Sequence, residues 1–496
     1  MKEIELNRIN VAENLQAIDI RARRLNDNSK HNDYRGNYQL DRDRILYTTS
    51  FRRLVGKTQI FSTGMGEHYR NRLTHTLQVM QIATTISKYL GLNIELTEAI
   101  ALGHDIGHAP FGHVGERTLN NIMNNCDILD KYGIRLDKGQ RGFKHNLQGL
   151  RVLCDIEKKN RKYNGLDITT DTLWGIVNHS AITAEEKCNK IDIEHNRCLL
   201  KRDRQNFPCS NKNDDNIPSQ SYDYYDKYLN EMRYEPWSFE GFVVNHADEI
   251  AQRHHDIEDG IISDIFEPME FIRGFKNFFK DNDYYSQEFK AGIKKIEKEI
   301  KEKEIIENDY LLPILSSFIV DFYIENYISA TAVKLEKCIK EYSLKTNEDF
   351  YRNKEKIRKE NNLAEIMDFE ENFSKQDSEL KKLLKNMIIN SQKAQLMDGK
   401  GTYIIRQLFE AYLTTPNQLP DNIIKNFCTD CGLFKRGEKA TKYEIGYLRN
   451  DMENTIIMKD KLYLLCRNIC DYISSMTDRY ALKQHEKLYG SKYFSK

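Results

Sequence analysis

The chain has 496 residues, and its 75 lysines and arginines balance 75 aspartates and glutamates, so its formal net charge is zero. This balance excludes a globally basic nucleic-acid-binding protein but still allows a local basic groove. Only 8 prolines occur where average usage gives about 25, so we expect long helices rather than a many-turned β sandwich. The fold class predicted from composition is therefore mostly α.

No stretch reaches the roughly 18 apolar residues that a membrane-spanning helix requires, so we expect no membrane partner. The N-terminus lacks the basic-then-apolar pattern of a signal peptide. Ten cysteines at irregular spacing are typical of reduced thiols, which predicts a cytoplasmic protein. Cys428 and Cys431 form a CxxC pair, and Cys466 and Cys470 have helical spacing. A shared zinc site is one interpretation of these four, but unpaired thiols are favoured because no zinc-ribbon spacing surrounds them.

The first strong helical pattern lies at residues 73–90, where apolar residues recur every three or four positions and Leu77 falls within the apolar stripe. Gly91 is expected to end this helix. A second helix is predicted at about 94–105, since glycine and proline follow it closely.

The amino-acid composition then changes. Lys, Asn, Asp and Ser dominate residues 185–237, which predicts an inserted loop or subdomain that is partly mobile. Helical periodicity returns at 239–256, and residues 270–395 are expected to form long charged helices with a solvated face.

Residues with metal-binding and acid–base chemistry concentrate in three of the predicted helical segments. His75 lies on the edge of the first apolar stripe, where a lone histidine is usually a core residue. The second segment holds three histidines and two carboxylates within thirteen residues, which packing alone explains poorly: His104, Asp105, His108, His113 and Glu116.

The third segment places Asp248 on an apolar helix face together with Val244, Ala251 and His255. An unpaired carboxylate there is costly, so it requires a cation or hydrogen-bond donors. A salt bridge to an arginine is the alternative to a metal ion. Imidazole nitrogens combined with carboxylate oxygens suit a divalent ion such as Mn, Fe, Zn or Mg.

The order His75, His104–Asp105, Asp248 resembles the HD-domain phosphohydrolase superfamily. Further segments are similar to motifs of the deoxyguanosinetriphosphate triphosphohydrolases (dGTPases), and they lie at residues 41–45, 51–54, 57–60, 70–75, 104–116, 143–148, 247–251 and 476–480. An HD doublet alone is a weak signal, whereas this ordered set is specific.

The resemblance implies hydrolysis of a deoxynucleoside triphosphate (dNTP) to a deoxynucleoside and intact inorganic triphosphate. It also implies three regions: an N-terminal helical extension at 1–40, an HD catalytic core at 41–260 that carries the insertion, and a helical region at 261–496. The last region would complete the substrate pocket and provide the contacts of a homo-oligomer. A dNTP or single-stranded DNA acts as effector in some relatives, so either is a candidate partner.

Residue roles carried over from the family are expectations of the same kind. The metal ligands would be His75, His104, Asp105 and Asp248, holding Mn or Mg, with Fe or Zn as alternatives. His113 and Glu116 would form a catalytic dyad beside the α-phosphate. The predicted substrate contacts are Gln59 to the sugar 3′-hydroxyl, Arg72 to a phosphate, His108 and His145 along the phosphate path, and Asp256 near the sugar.

Several alternatives stay open. Gln252 stands where many relatives carry a tyrosine near the sugar, so the sequence leaves both deoxy selectivity and base specificity undecided. Other HD enzymes act on alarmones, cyclic dinucleotides or nucleoside monophosphates. A non-catalytic nucleotide or nucleic-acid sensor would instead use basic clusters as a phosphate-binding groove, namely Arg42, Arg44, Arg52, Arg53 and Lys57, and Lys201, Arg202 and Arg204.

Overall fold

The computed structural model describes most of the chain. The described residues are 10–24, 34–59, 70–158, 164–180, 185–187, 191–192, 197–198, 219–232, 236–279, 287–302, 308–435, 438–452 and 461–490.

The N-terminal half of the described chain is built from helices joined by short connections. They are α1 (Asn37–Leu46), α2 (Thr49–Arg53), α3 (Arg72–Leu90), α4 (Ile94–Gly103), α5 (Gly112–Met123), α6 (Ile128–Lys131), α7 (His145–Arg151), α8 (Thr170–Asn178), α9 (Asp226–Met232) and α10 (Phe239–Ile262). Four short strands form two antiparallel pairs: β1 (Glu185–Lys187) with β4 (Ser219–Ser221), and β2 (Ile191–Asp192) with β3 (Arg197–Cys198).

The C-terminal half is helical throughout its described part. Its helices are α11 (Pro268–Phe279), α12 (Gln287–Glu302), α13 (Asn308–Glu341), α14 (Asn347–Glu360), α15 (Leu363–Ile366), α16 (Glu371–Ile389), α17 (Gln392–Thr414), α18 (Asp421–Asp430), α19 (Lys442–Asp451), α20 (Leu462–Ser474) and α21 (Asp478–Tyr489). The predicted mostly α class is confirmed.

The main core forms where α3, α4 and α10 pack against one another, with α1 and α8 against α4. Each of the three central helices begins at a polar side chain that accepts a backbone N–H three residues later: Asn71, Asn93 and Ser238. These caps satisfy one of the donors that every helix start leaves unpaired. The starts of the three helices that carry the predicted metal ligands are therefore specified locally.

A second core lies between α5, α17, α18 and α20. Leu119 and Ile122 of α5 are buried there against apolar residues of the C-terminal half, including Leu408 and Ile469. Because α5 follows the 104–111 segment directly, the C-terminal half is packed onto the element that carries His113. The two halves of the chain therefore meet at the predicted site.

The predicted helices are found with small differences in length. The helix predicted from 73 to 90 is α3, and Gly91 ends it with φ 83°, a left-handed conformation that glycine adopts readily. The expected position of Leu77 is wrong, because its side chain is 43% exposed while Val79 and Ile82 are buried. Helix α10 continues to Ile262, six residues beyond the predicted end.

Two further expectations concern the N-terminal extension and the segment 185–237. In the described part of the predicted N-terminal extension, residues 10–24 contain two short 3₁₀ turns, and α1 begins at Asn37. The turns are held by tertiary contacts, since the Ala17 and Asn93 backbone N–H groups both donate to Glu240 at 2.9 Å. Most of the segment 185–237 lies outside the described residues. Its expected mobility therefore stays a prediction.

The cysteines of the CxxC pair and its predicted partners are free thiols. Cys428, Cys466 and Cys470 are buried in the second core, where burial raises the pKa of each thiol to about 12. Within the described residues, no cysteine belongs to a group of side chains arranged to hold a metal ion. Among the described helices, none is long and apolar enough to cross a membrane.

The backbone of the 104–111 segment crosses close to the backbone of α7 at Gly107. A Cβ at Gly107 would overlap the His145 carbonyl and the Gly149 amide, so Gly107→Ala is expected to force α7 outward and destabilise the protein by about 1–3 kcal/mol. The measurement is the midpoint of urea unfolding.

The control is Gly149→Ala on the opposite side of the same crossing. There a new Cβ would find its nearest neighbour, Ile176, at 3.5 Å, which is an ordinary contact. This substitution should leave the midpoint unchanged or raise it, since alanine favours helix more than glycine does. Equal midpoints for the two variants would contradict the proposed close approach.

Candidate metal centre and adjoining histidine cluster

Three helices bring four predicted metal ligands together. His75 lies in the first turn of α3, His104 and Asp105 follow the end of α4, and Asp248 lies in the middle of α10. The ring of His104 is oriented by its Nδ1, which lies 2.6 Å from the Ala101 carbonyl oxygen. A ring fixed in this way presents Nε2 to the other three residues.

The distances among these four side chains are those of a metal-binding cluster. His75 Nε2 lies 2.9 Å from Asp248 Oδ1 and 3.8 Å from Asp105 Oδ2. His104 Nε2 lies 3.6 Å from Asp105 Oδ1 and 3.9 Å from Asp248 Oδ1. The ligand atoms of His75, His104 and Asp248 all lie within 4.8 Å of one another, whereas Asp105 meets that limit together with His145 and His179. Ligand atoms at about 2.1 Å from one ion are about 3–3.5 Å apart, so the Asp105 carboxylate would have to turn toward the other three to complete the set.

The donor chemistry also fits a divalent ion. His104 Nε2 is buried without a hydrogen-bond partner among the described residues, and an unpaired buried nitrogen is costly unless something binds it. Burial by itself would raise the pKa of Asp248, but His75 and His104 hold it below its usual range. The centre therefore offers two imidazole nitrogens and two ionised carboxylates, a set suited to a transition metal or Mg.

Asp105 connects the metal centre to the residues around it. Its Oδ2 accepts a hydrogen bond from Arg72 Nη1 at 2.7 Å, and its Oδ1 lies 3.1 Å from His108 Nε2. Burial alone would raise the pKa of Asp105, but Arg72 and the histidines hold it well below its usual range. The carboxylate is therefore ionised, and it is oriented from both sides.

A second cluster lies next to the metal centre and consists of His108, His113, Glu116 and His145, whose ligand atoms are all within 4.8 Å of one another. Glu116 Oε2 lies 2.7 Å from His145 Nδ1 and 3.6 Å from His113 Nδ1. Burial opposes ionisation of Glu116, but the adjacent histidines hold its pKa well below its usual range. Glu116 is thus a carboxylate that faces three imidazole rings.

The two histidines predicted along the phosphate path stack on each other, with ring centroids 3.9 Å apart. Burial and the nearby Arg72 lower the pKa of His108 well below its usual range, so this ring is neutral. A neutral ring that donates Nε2–H to Asp105 has Nδ1 as an acceptor, and that nitrogen has no hydrogen-bond partner among the described residues. By contrast, His113 is largely open, with 57% of its side chain exposed.

Arg72 and Gln59 lie beside the turn that precedes α5. Arg72 leaves Nε and Nη2 unpaired within the described chain, and Nη2 is 3.5 Å from where a Cβ of Gly112 would lie. The main-chain carbonyl oxygen of Gln59 is 3.2 Å from that same point. The side-chain Oε1 of Gln59 is buried and has no hydrogen-bond partner in the described structure. The two predicted substrate contacts therefore converge on one turn with polar atoms still available.

Asp256 is further from these residues. It lies eight residues after Asp248, about 12 Å further along α10. Burial raises its pKa to about 6, and the nearest charges acting on it belong to Arg253 of α10 and Lys381 of α16. Its role near the sugar stays a prediction.

The sequence analysis missed two residues at the site. His179 lies between the clusters, with Nε2 3.2 Å from His145 Nε2 and its ring 5.1 Å from that of His104. Burial and His104 lower the pKa of His179 to about 3, so it is neutral. No motif surrounds it, and a lone histidine after α8 carried no signal.

The second missed contact involves Gln252, whose Nε2 lies 3.2 Å and 3.1 Å from the two Asp248 carboxylate oxygens. This residue had drawn attention only as a departure from the family's tyrosine. Its i, i+4 spacing from Asp248 places it on the same helix face, and there it orients a predicted metal ligand.

Comparisons with known proteins cover nearly the whole chain. An HD-domain family model matches residues 72–205, and a phosphohydrolase-associated-domain model matches 367–433 and 448–487. Proteins named deoxyguanosinetriphosphate triphosphohydrolase-like are similar to it over more than nine tenths of their length. One from Leptospira interrogans (serovar copenhageni) is 30% identical over 94% of this chain and 92% of its own. One from Rickettsia typhi is 31% identical over 93% of each chain.

Removal of one imidazole tests the metal centre. His104→Ala is expected to weaken Mn²⁺ binding by more than about 10-fold, since loss of a direct ligand should exceed the effect of losing an outer hydrogen-bond partner. Bound metal is measured by elemental analysis after dialysis, and folding by the thermal unfolding midpoint.

The matched control is His246→Ala on α10, because His246 packs against Tyr327 and Phe369 and away from the metal centre. This variant should retain its metal. If His104→Ala kept full metal content, the assignment of His104 as a ligand would be wrong. If it lost its fold, the metal site and the scaffold would not be separable at this residue.

Proposed function

The chain belongs to the deoxyguanosinetriphosphate triphosphohydrolase-like family of HD-domain proteins, and on that premise we propose that it hydrolyses dNTPs to deoxynucleoside and inorganic triphosphate. One observation supports the proposal above the others. The Asp105 carboxylate is shared, since Oδ1 lies 3.6 Å from His104 in the metal centre and 3.1 Å from His108 in the histidine cluster. A phosphate group at this junction would contact both clusters.

The two clusters supply different parts of a hydrolysis at the α-phosphorus. When bound, a divalent ion, which we propose to be Mn or Mg, supplies charge neutralisation and polarisation at the phosphate. Arg72 has two donors without a hydrogen-bond partner among the described residues, and a guanidinium matches phosphate oxygens in geometry and charge. His108 Nδ1 accepts from a water molecule and thereby orients it.

The reaction requires a general acid–base group, and His113 is the exposed member of the histidine cluster. Water attacks phosphorus and loses a proton, while the bond between the α-phosphorus and the 5′ oxygen breaks and that oxygen gains one. His113 faces Glu116 through Nδ1, which leaves Nε2 as the atom that exchanges a proton with water or with the leaving oxygen. Glu116 holds the tautomer of His113 and also contacts His145.

The substrate class follows from the remaining polar groups. The amide of Gln59 has a buried Oε1 without a protein partner in the described structure, which suits it to bind a sugar hydroxyl. We propose activity on dNTPs in general, with dGTP among them. Homo-oligomer formation, and regulation by a dNTP or single-stranded DNA, stay predictions from the family resemblance.

The alternative of a sensor with a basic groove is weakened at three residues of the N-terminal cluster. Arg42 is paired with Glu98 at 2.7 Å, and Arg44 with Asp167 at 3.8 Å. Lys57 is buried and donates to main-chain carbonyls. These three cations are therefore occupied by the protein itself, whereas Arg52 and Arg53 are exposed. The second basic cluster, at 201–204, lies outside the described residues.

A product assay tests the proposed reaction. Purified protein with Mn²⁺ or Mg²⁺ is given each dNTP singly and then all four together, and the products are separated by chromatography. Deoxynucleoside with intact triphosphate is the expected result. Release of diphosphate or monophosphate would contradict the proposed bond cleavage, and turnover only in the mixture would indicate activation by a dNTP.

The dyad is tested by a double-mutant cycle. His113→Ala is expected to lower kcat by about 10²–10⁴-fold and leave metal content unchanged, because a positioned acid–base group contributes an effect of that size. Glu116→Gln should lower kcat less, since it removes only the charge that holds the tautomer. If the two act as a unit, the double variant will be no slower than His113→Ala. Loss of metal in His113→Ala would instead assign His113 to the metal centre.

A further inference from the structure

We propose that Asp478, at the start of α21, is a positioning residue for the active site. It holds the segment with the substrate contact Gln59 and the turn before His113 in a fixed relation to each other. The inference rests on the proposed function for the roles of those two residues. It assigns a role to a side chain from the far C-terminal end of the chain.

The carboxylate of Asp478 makes hydrogen bonds to two separate segments of the catalytic half. Oδ2 accepts the Thr58 backbone N–H at 3.0 Å and also the Thr58 hydroxyl. Oδ1 accepts the Phe111 backbone N–H at 2.9 Å. The residue is 2% exposed, so water does not compete for these bonds.

Both segments lack regular secondary structure that would hold them otherwise. Thr58 lies after a short 3₁₀ turn, and within the described residues its backbone pairs in an isolated bridge to Asn71. Phe111 has φ 62°, and a bulky residue rarely adopts that left-handed conformation. Phe111 also precedes α5 without a side-chain cap of its own, so Asp478 satisfies a donor at the helix start from another part of the chain.

Other contacts connect the same parts. The buried Lys57 ammonium donates to the Ser474 carbonyl at 2.9 Å and to the His108 carbonyl. The turn between α20 and α21 lies so close that a Cβ at Gly56 would be 2.7 Å from Thr477 Cγ2. The α20–α21 turn is therefore packed between the two segments, and Asp478 is its charged contact to both.

The position of these bonds gives them a consequence for catalysis. Thr58 is adjacent to Gln59, and Phe111 is two residues before His113. A shift of either segment would change the distance between the sugar contact and the proton-transfer group, and small misplacements of this kind lower rates strongly. A merely structural carboxylate would affect stability without this selectivity.

The chain offers a matched control for a structural carboxylate. Asp41 is also fully buried, and its Oδ2 accepts the Thr169 backbone N–H at 2.9 Å and the Thr169 hydroxyl at 2.6 Å. It therefore binds the same pair of threonine donors, but it connects α1 to the start of α8. The effect of Asp41→Asn measures what loss of such a carboxylate does to the fold alone.

The experiment compares Asp478→Asn with Asp41→Asn in the full-length protein loaded with Mn²⁺. Asparagine keeps the shape, but its amide nitrogen donates, so one backbone N–H loses its acceptor. We expect Asp478→Asn to lower kcat/KM by about 10–100-fold with metal content unchanged. Amide hydrogen exchange should accelerate at residues 57–59 and 108–113. Asp41→Asn should lower the unfolding midpoint without either effect.

Thr58 provides a milder pair of variants if Asp478→Asn fails to fold. Thr58→Val removes only the hydroxyl bond, and Thr58→Ser retains it, so the first should show the kinetic and exchange effects and the second should not. Equal kinetic losses in Asp478→Asn and Asp41→Asn, or unchanged exchange at both segments, would overturn the proposal. The exchange measurement needs no turnover, so it remains decisive even if the wild-type protein fails to hydrolyse any dNTP.

Discussion

The buried Asp105 carboxylate is the interaction on which both halves of the site depend. It lies within 4 Å of the imidazoles of His75 and His104, accepts from Arg72, and meets His108 on its other side. A buried negative charge is tolerated only when cations and donors surround it. The same groups that keep Asp105 ionised are those that a metal ion and a phosphate would contact, so stability and chemistry place related demands on this position.

The surrounding helices keep that arrangement rigid. The predicted metal ligands lie on two capped helices, α3 and α10, and directly after a third, α4. The absence of a side chain at Gly107 allows the backbone there to approach α7. Interiors packed this closely resist small displacements. The histidine cluster is thus held at a fixed distance from the metal centre by backbone packing, with Asp105 as the side chain common to both.

The C-terminal half is part of the same construction. Helix α17 packs on α5, and a Cβ at Gly401 would lie 3.0 Å from Phe111. Together with Asp478, these contacts tie the turn before His113 to residues more than 280 positions later in the chain. The region matched by the phosphohydrolase-associated-domain model therefore contacts the segment matched by the HD-domain model at this turn.

The sequence by itself determined the mostly α class and the positions of α3, α4 and α10, and it predicted four metal ligands, of which the structure groups His75, His104 and Asp248 most closely. Periodicity, caps and side-chain chemistry are local, so they can be recognised without a structure. Tertiary packing decided that Glu116 lies closer to His145 than to His113, and it brought Asp478 against Thr58. Such contacts depend on how distant segments meet, which no local pattern specifies.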